Sequence, residues 1–159
     1  MTDALPPSSR KVQEAAQRLG LSTTVRVMAQ PTRTAEEAAA ACGCAVAQIV
    51  KSLVFQGRTS GSPHLLLVSG KNRVDEDGVA QRIGEALKRP DAAAVRDWTG
   101  YAIGGIPPFG HARDLPTWID EDLLAFDTVL AAAGTPFAVF SVDPKALAAA
   151  TGAKVIRVA

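Results

Sequence analysis

The chain is poor in the residues that carry metal and redox chemistry. It has two cysteines, Cys42 and Cys44, with one glycine between them. A zinc site ordinarily needs C-x-x-C spacing and a second ligand pair. The spacing is too short, and the two histidines, His64 and His111, are isolated from the cysteines and from each other. Both cysteines read as small apolar fillers in a reducing compartment, and no metal or other cofactor is expected. No apolar run approaches the roughly 18 to 20 residues that cross a bilayer. Residues 1–7 lack the basic-then-apolar pattern of a secretory signal. The expectation is a soluble, cytoplasmic protein without a membrane partner. A surplus of charge is also missing: 17 Lys and Arg face 16 Asp and Glu. That balance argues against broad, non-specific nucleic-acid binding, which needs many phosphate contacts, but leaves room for a local basic patch.

Familiar catalytic motifs are absent as well. No G-x-S-x-G elbow presents a serine nucleophile. Gly70-Lys71 invites a phosphate-loop reading, but that pattern needs glycine at position 65 and Ser or Thr at 72. Leu65 and Asn72 stand there instead. Lys51 and Ser52 are adjacent on a strand and point to opposite faces, which excludes a Ser-Lys dyad.

What is present suits one globular domain over residues 1–159, with residues 1–7 a flexible end. Hydrophobic residues make up 47% of the chain and charged residues 21%. Ser8 or Ser9 can cap a helix that runs to Leu19 and carries Val12, Ala15 and Ala16 as an apolar stripe. Thr24 to Ala29 reads as a strand with Val25 and Val27 on one face. Thr34 and Glu37 fit a capping box. Ile49 to Phe55, Leu65 to Ser69, Thr117 to Ile119, Phe126 to Ala132, Phe137 to Val142 and Ala153 to Val158 read as strands. Asp75, Asp91 and Asp143-Pro144 open helices, and Gly84, Gly100 and Gly152 stop them. Strands outnumber crossover helices, and several are joined by short turns. This favours an α+β fold with a mixed, largely antiparallel sheet.

Two features point to a binding site. The first is the loop Ala102-Ile103-Gly104-Gly105-Ile106-Pro107-Pro108-Phe109-Gly110. Its glycines let another group approach the main chain, and its prolines fix φ and stiffen the turn. Gly104 and Gly105 are expected to present bare N–H groups, which bind a carbonyl oxygen, an oxyanion or a phosphate. A plain tight turn is the alternative. The second feature is Lys51, the one charge on the apolar strand from Ile49, sharing a face with Ile49, Leu53 and Phe55. An unpartnered buried ammonium is costly. Either Lys51 borders a cavity and meets an anionic or carbonyl ligand, or it snorkels to solvent.

The run GGIPPFGH, with IVKSLVF upstream and WIDEDLL and AAAGTPFAVFSVDPKAL downstream, resembles the YbaK/EbsC family over nearly the whole chain. That family comprises free-standing aminoacyl-tRNA deacylases and the editing domain of bacterial prolyl-tRNA synthetases. The resemblance implies a curved, barrel-like mixed sheet flanked by helices. It implies a trans-editing deacylase that hydrolyses the ester of a mischarged tRNA, within the proline system, without a metal. In that reading Lys51 positions the substrate, Gly104 and Gly105 supply backbone donors, and Pro108 holds the loop's shape. Ile49, Leu53 and Ile106 shape the pocket. The chain departs from many relatives at Pro107, where they carry a small polar residue. The implied partners are the aminoacylated 3′ end of tRNA and an aminoacyl-tRNA synthetase, with the protein itself a monomer.

His111 follows the loop and reads as a substrate-binding residue, a general base or a structural residue. Phe109 is the aromatic best placed to stack on a terminal adenine, while Trp98 reads as core. Lys71 and Arg73 are either phosphate contacts or solvated turn residues. Two rival functions share these features. One is a non-catalytic binding module of the same fold, and the other a small-ester hydrolase that needs no RNA.

Overall fold

The computed structural model of the protein describes residues 5–159. Residues 1–4 of the expected flexible end lie outside the described residues. Pro7 is already helical, at the first position of α1, Pro7–Arg18. The expected serine cap is not used. Pro6 is the N-cap and no side chain caps the helix, because the fixed φ of Pro7 suits a helix's first position. Val12, Ala15 and Ala16 bury one stripe of α1 in the main core.

The next strand is shorter than its sequence suggests. β1 is only Arg26–Val27, paired with Val139 and Ala138. Val25 is 5% exposed and Val27 52%, so the two do not share a buried face. At Val25 the Gln13 Oε1 accepts the main-chain N–H at 2.8 Å, taking the place of a strand partner. Helix α2, Ala35–Cys42, begins at the expected capping box. The Glu37 N–H donates to Thr34 Oγ1 and the Thr34 N–H to Glu37 Oε1, both at 3.1 Å.

β2, Ile49–Gly57, and β3, Pro63–Ser69, form an antiparallel hairpin. β3 is buried at every position, as fits a strand covered on both faces. Helix α3, Glu76–Ile83, and helix α4, Ala92–Thr99, start at Asp75 and Asp91 and end at left-handed Gly84 and Gly100. Between them lies β4, Leu87–Lys88, too short to leave a pattern in the sequence. β5, Thr117–Asp120, β6, Val129–Ala132, and β7, Ala138–Val142, follow. Helix α5, Pro144–Thr151, and β8, Lys154–Ile156, complete the described chain.

The eight strands form one sheet in the order β1-β7-β6-β2-β3-β5-β8, with β4 added to β2. Pairs β2–β6, β3–β5 and β5–β8 are parallel and the others antiparallel. The fold is α+β with a mixed sheet flanked by helices. The sheet does not close into a barrel: its path ends at β1 and β8.

One detail of register makes room for a site. On the side away from β3, β2 pairs with β6 at Ile49 and Val50 and with β4 at Gln56 and Gly57. Among the described residues the stretch from Lys51 to Phe55 has no strand neighbour there. The sheet is open at that point, and the opening is lined by an apolar strand with one lysine.

Candidate functional site

A cavity of about 320 Å³ lies beside the first part of this stretch, where β2 leaves β6. β2 contributes Ile49, Lys51 and Leu53 to its wall. The Gly-Pro loop contributes Gly104 and Ile106, and the segment before α2 contributes Arg33.

Lys51 is half-buried on this wall. Its Nζ donates to the Asn72 carbonyl at 2.6 Å. Asn72 is held in turn: its Nδ2 donates to Asp120 Oδ2 and Asp122 Oδ2, each at 2.8 Å. Asp120, 1% exposed, also accepts the Ser69 N–H at 3.0 Å. A buried carboxylate thus fixes the turn that aims the lysine. Among the described residues Lys51 has no carboxylate within ion-pair distance and no second hydrogen-bond partner, so it keeps donor capacity unused on the cavity wall. Burial pushes its pKa below the usual lysine value. The Glu36 carboxylate opposes that shift and the Arg73 guanidinium adds to it.

The two loop glycines differ. Gly104 has φ +102°, and its N–H has no hydrogen-bond partner among the described residues. Gly105 corrects the expectation of two bare donors. Its N–H is engaged by the Ala102 carbonyl at 3.1 Å, and its own carbonyl accepts the Gly134 N–H at 2.8 Å. A Cβ at Gly105 would lie 2.8 Å from the backbone of Gly134 and Thr135. Glycine is required there for the loop to pack on the β6–β7 turn.

The rest of the loop turns away from the cavity. Pro108, Phe109 and His111 border a separate cavity of about 260 Å³. Phe109 is 5% exposed and packs on Phe140 with ring centroids 5.4 Å apart. It has no open face for a base, which corrects the stacking expectation. His111 Nε2 bonds the Pro107 carbonyl at 2.7 Å, so that nitrogen carries the proton. Burial lowers the His111 pKa, and the bond to Pro107 partly offsets this. His111 braces the loop. Trp98 is half-buried and belongs to none of the core clusters, contrary to its reading as core.

The fold therefore brings together Ile49, Lys51, Leu53, Gly104 and Ile106. It places Gly105 behind them and sets Pro108, Phe109 and His111 apart. Arg33 is one of the cavity residues that sequence reasoning missed, with Glu36 and Ser52. A basic residue immediately before a capping box was the available sign, but nothing local says that the segment folds over the glycine loop. Cys42 and Cys44 pack beside the α2 alanines, with burial raising both thiol pKa values.

The model of the aminoacyl-tRNA editing domain matches residues 29–157. The uncharacterised protein YwhH of Bacillus subtilis is 33% identical over 123 residues, 77% of each chain. A candidate Cys-tRNA(Pro)/Cys-tRNA(Cys) deacylase of Enterococcus faecalis, EbsC, is 28% identical over 74% of this chain and 72% of its own. Among solved structures, a candidate trans-editing enzyme for prolyl-tRNA synthetase superposes with TM-score 0.91 at 48% identity, covering 98% of both chains.

Proposed function

This chain belongs to the aminoacyl-tRNA editing domain family, and from that premise we propose that it is a trans-editing deacylase of the proline system. Water attacks the ester that joins an amino acid to the terminal ribose of tRNA. The ester bond breaks, and free amino acid and intact tRNA leave. A synthetase pocket discriminates poorly against a smaller or isosteric amino acid, and hydrolysis after charging corrects the error.

The observation that carries this reading is that one small cavity is lined both by a half-buried, incompletely bonded Lys51 and by Gly104, whose N–H has no hydrogen-bond partner among the described residues. The ammonium positions the polar end of the substrate. The Gly104 N–H stabilises charge developing on the carbonyl oxygen. Ile49, Leu53 and Ile106 form the apolar walls around the amino-acid side chain. The volume of about 320 Å³ lies at the small end of ligand sites. The chemistry needs no metal, so exhaustive chelation leaves the rate unchanged.

The test is a panel of mischarged tRNAs, including Cys-, Ala- and Ser-tRNA(Pro), assayed by single-turnover release of amino acid. Release from tRNA(Pro) well above the uncatalysed rate supports the reading. Binding without release across the panel identifies a non-catalytic module. Equal activity on a simple amino-acid ester identifies a small-ester hydrolase.

A further inference from the structure

Arg33 stands at the cavity with no assigned task. Its side chain runs across Gly104: a Cβ on that glycine would meet Arg33 Cγ at 3.0 Å and Cδ and Nε at 3.6 Å. The glycine provides the flat surface on which the arginine stem lies. The residue is exposed, and among the described residues it makes no ion pair and no side-chain hydrogen bond. Its backbone is nonetheless fixed. The neighbouring Thr32 N–H and Oγ1 both donate to the Pro136 carbonyl, at 2.6 and 3.0 Å. The same β6–β7 turn donates the Gly134 N–H to Gly105. One turn therefore holds both the arginine segment and the glycine loop.

Three charged side chains line the cavity, the cations Lys51, half-buried on the wall, and Arg33, exposed, and the exposed carboxylate Glu36, so the two cations stand at different depths. A small amino-acid ester offers a carbonyl and a cationic α-amino group but no anion. A ligand that uses both cations presents a carbonyl inside and an anion outside. A guanidinium presents a planar fork of donors that matches a phosphate. We infer that Arg33 binds the phosphodiester immediately before the ester-bearing nucleoside, and so makes the end of an RNA, rather than a free amino-acid ester, the preferred ligand. This rests on the proposed deacylase reading. The chain's formal net charge is only +1, so a single well-placed contact matters more here than bulk attraction.

The test compares wild type, Arg33→Ala and Arg33→Lys on two substrates, aminoacyl-tRNA and aminoacyl-adenosine, which has the ester but no phosphate. Binding of uncharged CCA trinucleotide and of adenosine is measured beside them across a salt series. Arg33→Ala is expected to raise KM on the tRNA and Kd for the trinucleotide roughly tenfold to hundredfold, the loss typical of a charged contact. Its kcat is expected to hold, and the salt slope to fall by about one. On aminoacyl-adenosine and adenosine no change is expected. Arg33→Lys is expected to restore part of the affinity, because it keeps the charge and loses the fork. Equal losses on both substrates would overturn the inference and make Arg33 a support for the loop. Unchanged trinucleotide affinity would overturn it as well. Wild-type inertness towards every ester would instead sink the deacylase reading, while the trinucleotide measurement would still decide the role of Arg33.

Discussion

Two polar clusters sit on the same strand pair and behave in opposite ways. At one end of the β2–β3 hairpin, Lys51 makes a single side-chain hydrogen bond among the described residues and lines a cavity. At the other end, His64 and Glu85 satisfy each other. His64 Nε2 meets Glu85 Oε2 at 2.9 Å, and Trp118 Nε1 donates to His64 Nδ1 at 3.3 Å. Glu85 also accepts the N–H groups of Thr59 and Ser60 and the Ser60 hydroxyl. The second cluster has used its bonding capacity to tie the hairpin's turn to the start of β4. The first has kept capacity unused. Unused capacity on a positioned group is what a ligand can exploit, and a closed network is what a fold exploits.

The sharpest way to break this contrast is Lys51→Ala. Deacylation is expected to fall by roughly tenfold to hundredfold, the loss of a charged contact. The melting temperature is expected to move by no more than about 4 °C, near 1 kcal/mol for a domain of this size. Relief of a poorly solvated ammonium offsets the void left by its stem. Lys51→Arg is not expected to restore activity, because the guanidinium is larger and differently aimed. Single-turnover assays beside thermal melts check this. A fully active Lys51→Ala protein would make the lysine as structural as His64.

Gly105→Ala shows the contrast inside one loop. The added methyl would press on the backbone of Gly134 and Thr135, which cannot rotate aside. Overpacking of this kind costs about 1 to 3 kcal/mol, read as a lower urea midpoint. Activity per folded molecule is expected to fall only as far as the loop is displaced. A variant as stable as wild type would show that the close approach is unimportant.

The closed cluster has its own signature in acid. The Ser60 main-chain bond, then the His64 bond, hold Glu85 at about 2, below its ordinary 4.5. The folded state thus favours the ionised carboxylate. Its contribution is complete above about pH 4.5 and is lost as the pH falls towards about 2. Melting temperatures measured down that range should fall more steeply for wild type than for Glu85→Gln. Parallel curves would mean that Glu85 does not stabilise the turn through its charge.

The smallest effect is expected at His111. It borders the other cavity, so His111→Ala should change the deacylation rate by less than about twofold, under about 0.5 kcal/mol of barrier. A large loss would show that its bond to Pro107 sets the loop's geometry at the site.

The sequence was most legible where structure is local. The Thr34–Glu37 capping box, the Asp75, Asp91 and Asp143 caps and the glycine stops at 84, 100 and 152 concern neighbours a few residues apart. Lys51 could be singled out because a charge in an apolar strand is an anomaly that needs no partner to be noticed. What stayed hidden depends on distant pairs. Nothing near Gly105 announces Gly134, and nothing near Arg33 announces Gly104. The gap beside β2 exists only because β6 stops pairing at Val50 and β4 starts at Gln56. Phe109 was misread for the same reason: its partner, Phe140, lies on another strand.

The open path of the sheet has a consequence for the protein in a crowded cell. An unclosed sheet leaves rims where a foreign strand could dock and seed clumping. Besides two-residue β4 and the stretch of β2 that borders the cavity, the rims are the path's two ends, β1, two residues long, and β8, three. Each carries a basic residue, Arg26 or Lys154, beside an exposed valine, Val27 or Val155. So short a template offers few backbone bonds to an intruder, and a second copy approaching the same rim meets its own charge. The fold can leave its sheet unsealed, and so keep room for a cavity, without turning its margins adhesive.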